Sequence, residues 1–123
     1  MTNPMACGRP VLKLRQRDII LIPFPFSDLM GSKVRPALVI SQDDYNGSHL
    51  DAVVVALTSN VSLSQYKILV ISQDLESGRL PVDSAIRVDK PFSVLQSKTL
   101  KIQARVTEAK FAEVRTAIAA LVG

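Results

Sequence analysis

Ile19-Ile20-Leu21-Ile22-Pro23-Phe24-Pro25-Phe26, then Ser27-Asp28-Leu29-Met30-Gly31-Ser32, then Lys33-Val34-Arg35-Pro36-Ala37-Leu38-Val39-Ile40-Ser41, reads as strand, loop and strand. Ile19 to Ile22 is a short β-forming run, and Pro23 and Pro25 are expected to end it because proline has no N–H to give a ladder. The polar, glycine-containing segment from Ser27 to Ser32 suits a hairpin loop. Val34 to Ser41 makes the second strand. Its unbroken apolar block, Ala37 to Ile40, implies burial on both faces or in a closed barrel.

Outward from this hairpin the chain keeps to strands. Asp51 to Thr58 forms a third around Val53-Val54-Val55, Tyr66 to Ile71 a fourth and Ser84 to Asp89 a fifth, with a turn around Gly78 and Pro81 before it. Gln42 to Leu50 breaks the pattern. The period changes at the end, where Phe111, Val114, Ile118 and Leu121 recur at helical spacing among alanines. Thr107 is a suitable N-cap, Glu108 suits the positive end of the helix dipole, and Gly123 stands where the helix should stop. Five or more short strands with one terminal helix predict a small barrel or β-rich α+β fold. Residues 1 to 16, with Pro4, Gly8 and Pro10 among basic residues, predict a loosely ordered lead-in. Residues 17 to 123 are expected to form one domain.

A chain of 123 residues, 47% hydrophobic and 21% charged, is one ordinary domain, with no apolar run approaching the roughly 20 residues of a membrane-spanning helix. The start lacks a secretory pattern, so a cytoplasmic location is expected. Cys7 and His49 are single residues of their kind, which excludes an internal disulfide and disfavours a Cys/His zinc site, a paired-histidine ribonuclease and Ser-His or Cys-His catalysis. No cofactor and no metal are expected. The net charge of +4 is uneven: Arg9, Lys13, Arg15 and Arg17 carry it, and the other 11 basic residues are balanced by 11 acidic ones. By this reading the positive charge belongs to the lead-in, where it adds non-specific phosphate attraction.

The ordered pair of motifs, the Pro-Phe element with Arg35-Pro36-Ala37-Leu38-Val39-Ile40 and then Ala56-Leu57-Thr58-Ser59-Asn60, resembles the MazF/PemK family of toxins. The similarity runs more weakly through Ser84-Ala85-Ile86-Arg87-Val88-Asp89-Lys90-Pro91 to the terminal helix. It departs at Gln103-Ala104-Arg105, where many members have an Ile-Gly pair. The resemblance implies a mainly β fold, a small SH3-like barrel of the CcdB/MazF type with a C-terminal helix. It also implies a toxin of a toxin-antitoxin pair that cleaves single-stranded RNA without metal, the 2′-hydroxyl attacking the adjacent phosphorus. A homodimer with a shared RNA groove, covered by a segment of a cognate antitoxin, is implied as partner.

Under that resemblance Arg35, Thr58 and Asp89 are the candidate catalytic residues, and Ser27, Asp28, Lys33, Ser59 and Arg87 the candidate RNA contacts. A guanidinium presents a fork of donors matched to phosphate oxygens, which suits stabilisation of an anionic phosphorane. Thr58 adds a hydroxyl. Arginine stays protonated and is a poor base, whereas the Asp89 carboxylate is a more natural one. Each residue has a plainer reading too. Arg35 and Lys33 could be solvated surface cations, Thr58-Ser59 a turn, Arg87 with Asp89 a simple ion pair, and His49 an exposed turn residue. Phe24 and Phe26 either both pack inside or divide between core and base stacking.

Two other functions compete. A CcdB-like toxin shares the fold and binds DNA gyrase through its terminal helix without nuclease activity; the Arg35-Pro36 and Thr58-Ser59 combination speaks against it. A non-catalytic SH3-like module would need an exposed aromatic groove, disfavoured in a chain without Trp and with 5% aromatic residues.

Overall fold

A computed structural model describes residues 13–28 and 31–123, the side chains of residues 25–28, 31 and 32 excepted. Its seven strands are β1 (Asp18–Asp28), β2 (Gly31–Val39), β3 (Asp51–Thr58), β4 (Lys67–Val70), β5 (Leu75–Gly78), β6 (Ser84–Leu95) and β7 (Lys101–Val106). They make one curled antiparallel half-barrel in the order β4-β6-β3-β2-β1-β7-β5. A short helix α1 (Asp43–Ser48) links β2 to β3, and α2 (Glu108–Val122) ends the chain. Among the described residues no helix is long and apolar enough to cross a membrane.

The continuous apolar runs have the cause expected of them, burial on both faces. Ile19, Leu38, Val55, Leu57, Ile86 and Val88 point to the face that α2 covers with Phe111 and Val114. Their neighbours Ile20, Ile22, Ala37, Val39 and Val54 build a second apolar cluster on the opposite face, closed by Leu14 and Phe24. Phe24 is core, edge-to-face with Phe92 at 5.2 Å; the Phe26 side chain lies outside the described residues. The α2 caps are as read: the Thr107 hydroxyl accepts from the Lys110 N–H at 3.1 Å, and Gly123 closes the helix at φ +82. Leu121, assigned to the buried face, is exposed.

Several boundaries differ. β1 continues through Pro23 and Pro25 to Asp28, because its pairing with β7 stops at Leu21 and from there it has only β2 beside it. An edge position tolerates the missing N–H. The loop expected over Ser27–Ser32 shortens accordingly, since Asp28 pairs with Gly31. The packed body also reaches further back than Arg17: Leu14 is buried, and its N–H donates to Gln96 Oε1 at 3.1 Å. The rest of the expected lead-in, residues 1–12, lies outside the described residues. Arg15 and Arg17 are tied into the domain by Asp18 and Glu76, so that part of the basic segment is not a free tail.

β5 and β7 were not foreseen, and they meet tightly. Gly78 pairs with Ala104 at φ +73, and a Cβ there would strike the Gln103 carbonyl oxygen and come within 2.6 Å of the Ala104 Cα. Only glycine meets both the backbone angle and the approach. In β7, Ile19 pairs with Ala104 but Ile20 with Ile102, which leaves Gln103 as a bulged extra residue.

Candidate active site

The geometry of the candidate site begins with the β2–β3 register. Ala37 pairs with Ala56 where the ladder ends, and Arg35 and Thr58 lie two residues beyond that pair on the two strands. Paired residues share a face of a sheet. Both residues line a groove of about 530 Å³ with Lys33, Val34 and Pro36 of β2, Leu57 of β3 and Ser59 just after it. The connection before β6 supplies Leu80, Pro81 and Val82, and Ser84, Leu21 and Gln103 complete the wall. Arg35, Lys33, Thr58 and Ser59 of the sequence reading are thus brought together.

Arg35 is exposed on its strand and pairs through its backbone with Ile22, whose side chain is core. Among the described residues neither Arg35 nor Lys33 makes a hydrogen bond or ion pair, and no carboxylate lines the groove. Two cations without a carboxylate beside them make an anion site by charge, with the Thr58, Ser59 and Ser84 hydroxyls in the same lining. The Thr58 oxygen accepts from the Asn60 N–H at 3.1 Å, as the plain turn reading expects. That bond uses a lone pair and leaves the hydroxyl proton free to donate, so the two readings coexist. Lys67 Nζ donates to Asn60 O at 3.3 Å and to Ser62 Oγ at 3.2 Å, fixing the following loop.

Arg87 and Asp89 are placed elsewhere. They are not among the groove-lining residues and pair with each other at 3.7 Å, which is the plainer alternative read for them. They sit where the β3–β6 register shifts, with Arg87 to Lys90 set against Ala56 alone. Arg87 Nε and Asp89 Oδ1 are buried without a partner. The Ser27 and Asp28 side chains lie outside the described residues. His49 is exposed at the end of α1, stacked on Tyr45 at 3.8 Å. No group of three or more His, Cys, Asp or Glu side chains gathers among the described residues.

Sequence reasoning missed Leu21, Leu80, Pro81, Val82, Ser84 and Gln103. For Leu80 to Val82 no local signal exists, since they reach the groove only through folding. Gln103 had one: Ile102, Ala104 and Val106 alternate as a strand should, which would have put Gln103 between two buried neighbours.

Comparison with known proteins then adds a family. The model of the PemK-like, MazF-like toxin of type II toxin-antitoxin systems matches residues 15–122. A sequence search of curated proteins returned no match. Among solved structures the chain is similar to a MazE-MazF complex from Deinococcus radiodurans (TM-score 0.75, 22% identity, 91% of this chain and 98% of that one). It is also similar to an endoribonuclease from a mycobacterial species (TM-score 0.73, 18% identity, 92% and 94% covered). A third is the Mycobacterium tuberculosis toxin MazF-mt6 (TM-score 0.71, 14% identity, 86% and 96% covered).

Proposed function

This chain belongs to the PemK-like, MazF-like toxin family of type II toxin-antitoxin systems, and from that premise we propose that it cleaves single-stranded RNA, independently of metal, at the groove between β2 and β3. The observation that carries the proposal is the meeting of Arg35 and Thr58 on neighbouring strands at a groove lined, among the described residues, by cations and no carboxylate. The solved relatives named endoribonucleases or MazE-MazF complexes support the same reading.

In this reaction the 2′-oxygen of the substrate attacks the adjacent phosphorus and the P–O5′ bond breaks. The 2′ proton passes to a base, the 5′-oxygen takes up a proton, and the products are a 2′,3′-cyclic phosphate and a 5′-hydroxyl. Arg35 supplies the fixed positive charge that the phosphorane needs, and the Thr58 hydroxyl donates to the same oxygens. Asp89 acts as base once the Arg87–Lys90 segment turns toward the groove when RNA binds. A homodimer and an antitoxin segment covering the cationic groove complete the proposal. A disordered segment can wrap such a surface by folding on it.

The test is digestion of mixed-sequence RNA by the purified protein in excess chelator, with end-group analysis of the fragments. Cleavage leaving 5′-hydroxyl ends, lost in folded Arg35→Ala, is expected. Intact RNA under these conditions, or equal cleavage by Arg35→Ala, would overturn it; intact RNA together with inhibited DNA gyrase would favour the non-nuclease toxin.

A further inference from the structure

The groove holds more than the two residues that suit the phosphate. Leu21, Val34, Pro36, Leu57, Leu80, Pro81 and Val82 make its walls apolar, and the exceptions beside Lys33, Arg35 and Thr58 are Ser59, Ser84 and Gln103. An apolar slot of a few hundred Å³ with a few polar groups at fixed positions is the usual form of a small-ligand site. Ser84 Oγ already donates to Val82 O at 3.1 Å. Gln103 is different. Its Oε1 is buried without a hydrogen-bond partner, and its Nε2 makes no bond within the described protein.

An unmade hydrogen bond at a buried carbonyl is costly, and a native position that carries one calls for a reason. The backbone around Gln103 is built to hold it there. The β7 bulge makes Gln103 the extra residue, outside the regular alternation of the strand, and a bulge re-aims a side chain. Gly78 provides the close approach that lets β5 cover the bulge. The terminal amide torsion of glutamine is soft, so either end of the carboxamide can be turned into the slot.

We propose that this slot seats one unstacked nucleobase of the RNA next to the phosphate held by Arg35, and that Gln103 reads its edge. The inference rests on the RNA-cleaving function proposed above. A carboxamide presents one donor beside one acceptor and pairs with a base edge that offers the complementary pair, the exocyclic amine with a ring nitrogen in adenine or cytosine and N3–H with O4 in uracil. Gln103 is therefore a specificity-determining residue, and the apolar walls supply the surface on which the base packs.

Wild type, Gln103→Ala and Gln103→Leu are to be compared on randomised RNA by sequencing cleavage ends. Binding of 2′-deoxy-substituted, uncleavable oligonucleotides is measured alongside by fluorescence anisotropy. The wild type should prefer one base over the others at one position, and both variants should lose about tenfold of that preference. Cleavage of the best all-position mixture should fall much less. Gln103→Leu keeps the volume and removes the unpaired carbonyl, so its Tm should equal or exceed wild type, which separates base reading from folding. Unchanged preferences at every position in a cleaving Gln103→Leu protein would overturn the inference and leave the nuclease reading standing. A wild type that cuts no RNA would overturn both.

Discussion

Arg35 and Arg105 flank the same strand, β1, one on β2 and the other on β7, yet their surroundings are opposite. Arg105 is mostly buried, with Nη1 on Asp18 Oδ1 at 3.1 Å and Nε on Glu76 Oε2 at 3.4 Å. Asp18 is wholly buried, and Arg17 reaches the same Glu76 at 2.9 Å while its other bond goes to the Val106 carbonyl. Arg35 is exposed and pairs with nothing among the described residues. A guanidinium held between protein carboxylates and carbonyls ties the fold together, whereas one left open is available to a ligand. Net charge alone does not make that distinction. The difference reassigns the basic segment too: Arg15 and Arg17 belong with the closed set, whereas Arg35 and Lys33 stand open at the groove.

The comparison breaks most visibly if the two arginines are exchanged in role. Arg35→Ala should lower RNA cleavage by about 100-fold to 1000-fold, the usual effect of removing one fixed donor from a developing oxyanion. Its unfolding free energy should change by less than about 0.5 kcal/mol, because an exposed, unpaired side chain is being removed. Arg105→Ala should do the reverse. It leaves the buried Asp18 carboxylate with Arg15 alone, whose N–H donates to Oδ2 at 3.0 Å and whose guanidinium stands 3.8 Å away, and should cost about 3 kcal/mol in denaturant unfolding, with cleavage per folded molecule unchanged. If Arg105→Ala were stable and Arg35→Ala unstable, the division between closed and open arginines would be wrong.

How far these assignments were legible follows the same line. Arg35, Lys33 and Thr58 sit on strands whose pattern is local, with Ser59 directly after, so motif and spacing are enough to bring them together. The two-sided burial of Ile19–Ile22 and Ala37–Ile40 was equally readable. α1 was not: Asn46 and Gly47 are weak helix formers, and the turn stands because buried Asn46 donates to Ser41 O at 3.1 Å while Gln96 Nε2 reaches Asn46 O at 2.7 Å. β5 has one apolar residue in four, and its strand exists because Gly78 can approach β7. The groove wall from Leu80 to Val82 depends wholly on tertiary packing, which no window of sequence contains.

Thr58→Ala sharpens the comparison at a smaller scale, because the residue belongs to both categories at once. Its oxygen is occupied by the Asn60 N–H and its proton is open. Loss of one hydrogen bond to a charged phosphate should reduce cleavage about tenfold, and Thr58→Ser should restore most of it, both read as kcat/KM on a defined oligonucleotide. A drop in Tm that matches the lost activity, unrescued by serine, would make Thr58 a turn residue only.

The smallest effect concerns Glu76, the acid shared by Arg17 and Arg105. The hydrogen bond from Arg17 is the main cause that holds its carboxyl below the ordinary value near 4.5, with burial opposing and the charges of Arg17, Arg105 and Arg15 assisting. A carboxylate favoured in the folded state binds its proton more readily once the chain unfolds, so its contribution is present above the ordinary carboxylate pKa. It is lost as pH falls through the depressed folded value. Glu76→Gln should therefore melt slightly below wild type at neutral pH, and the gap should close as the solution is taken below the carboxylate range. Because Glu76 is half exposed, salt should narrow the gap as well. A gap independent of both acid and salt would mean that packing of the side chain, not its charge, holds Arg17 and Arg105 in the closed set.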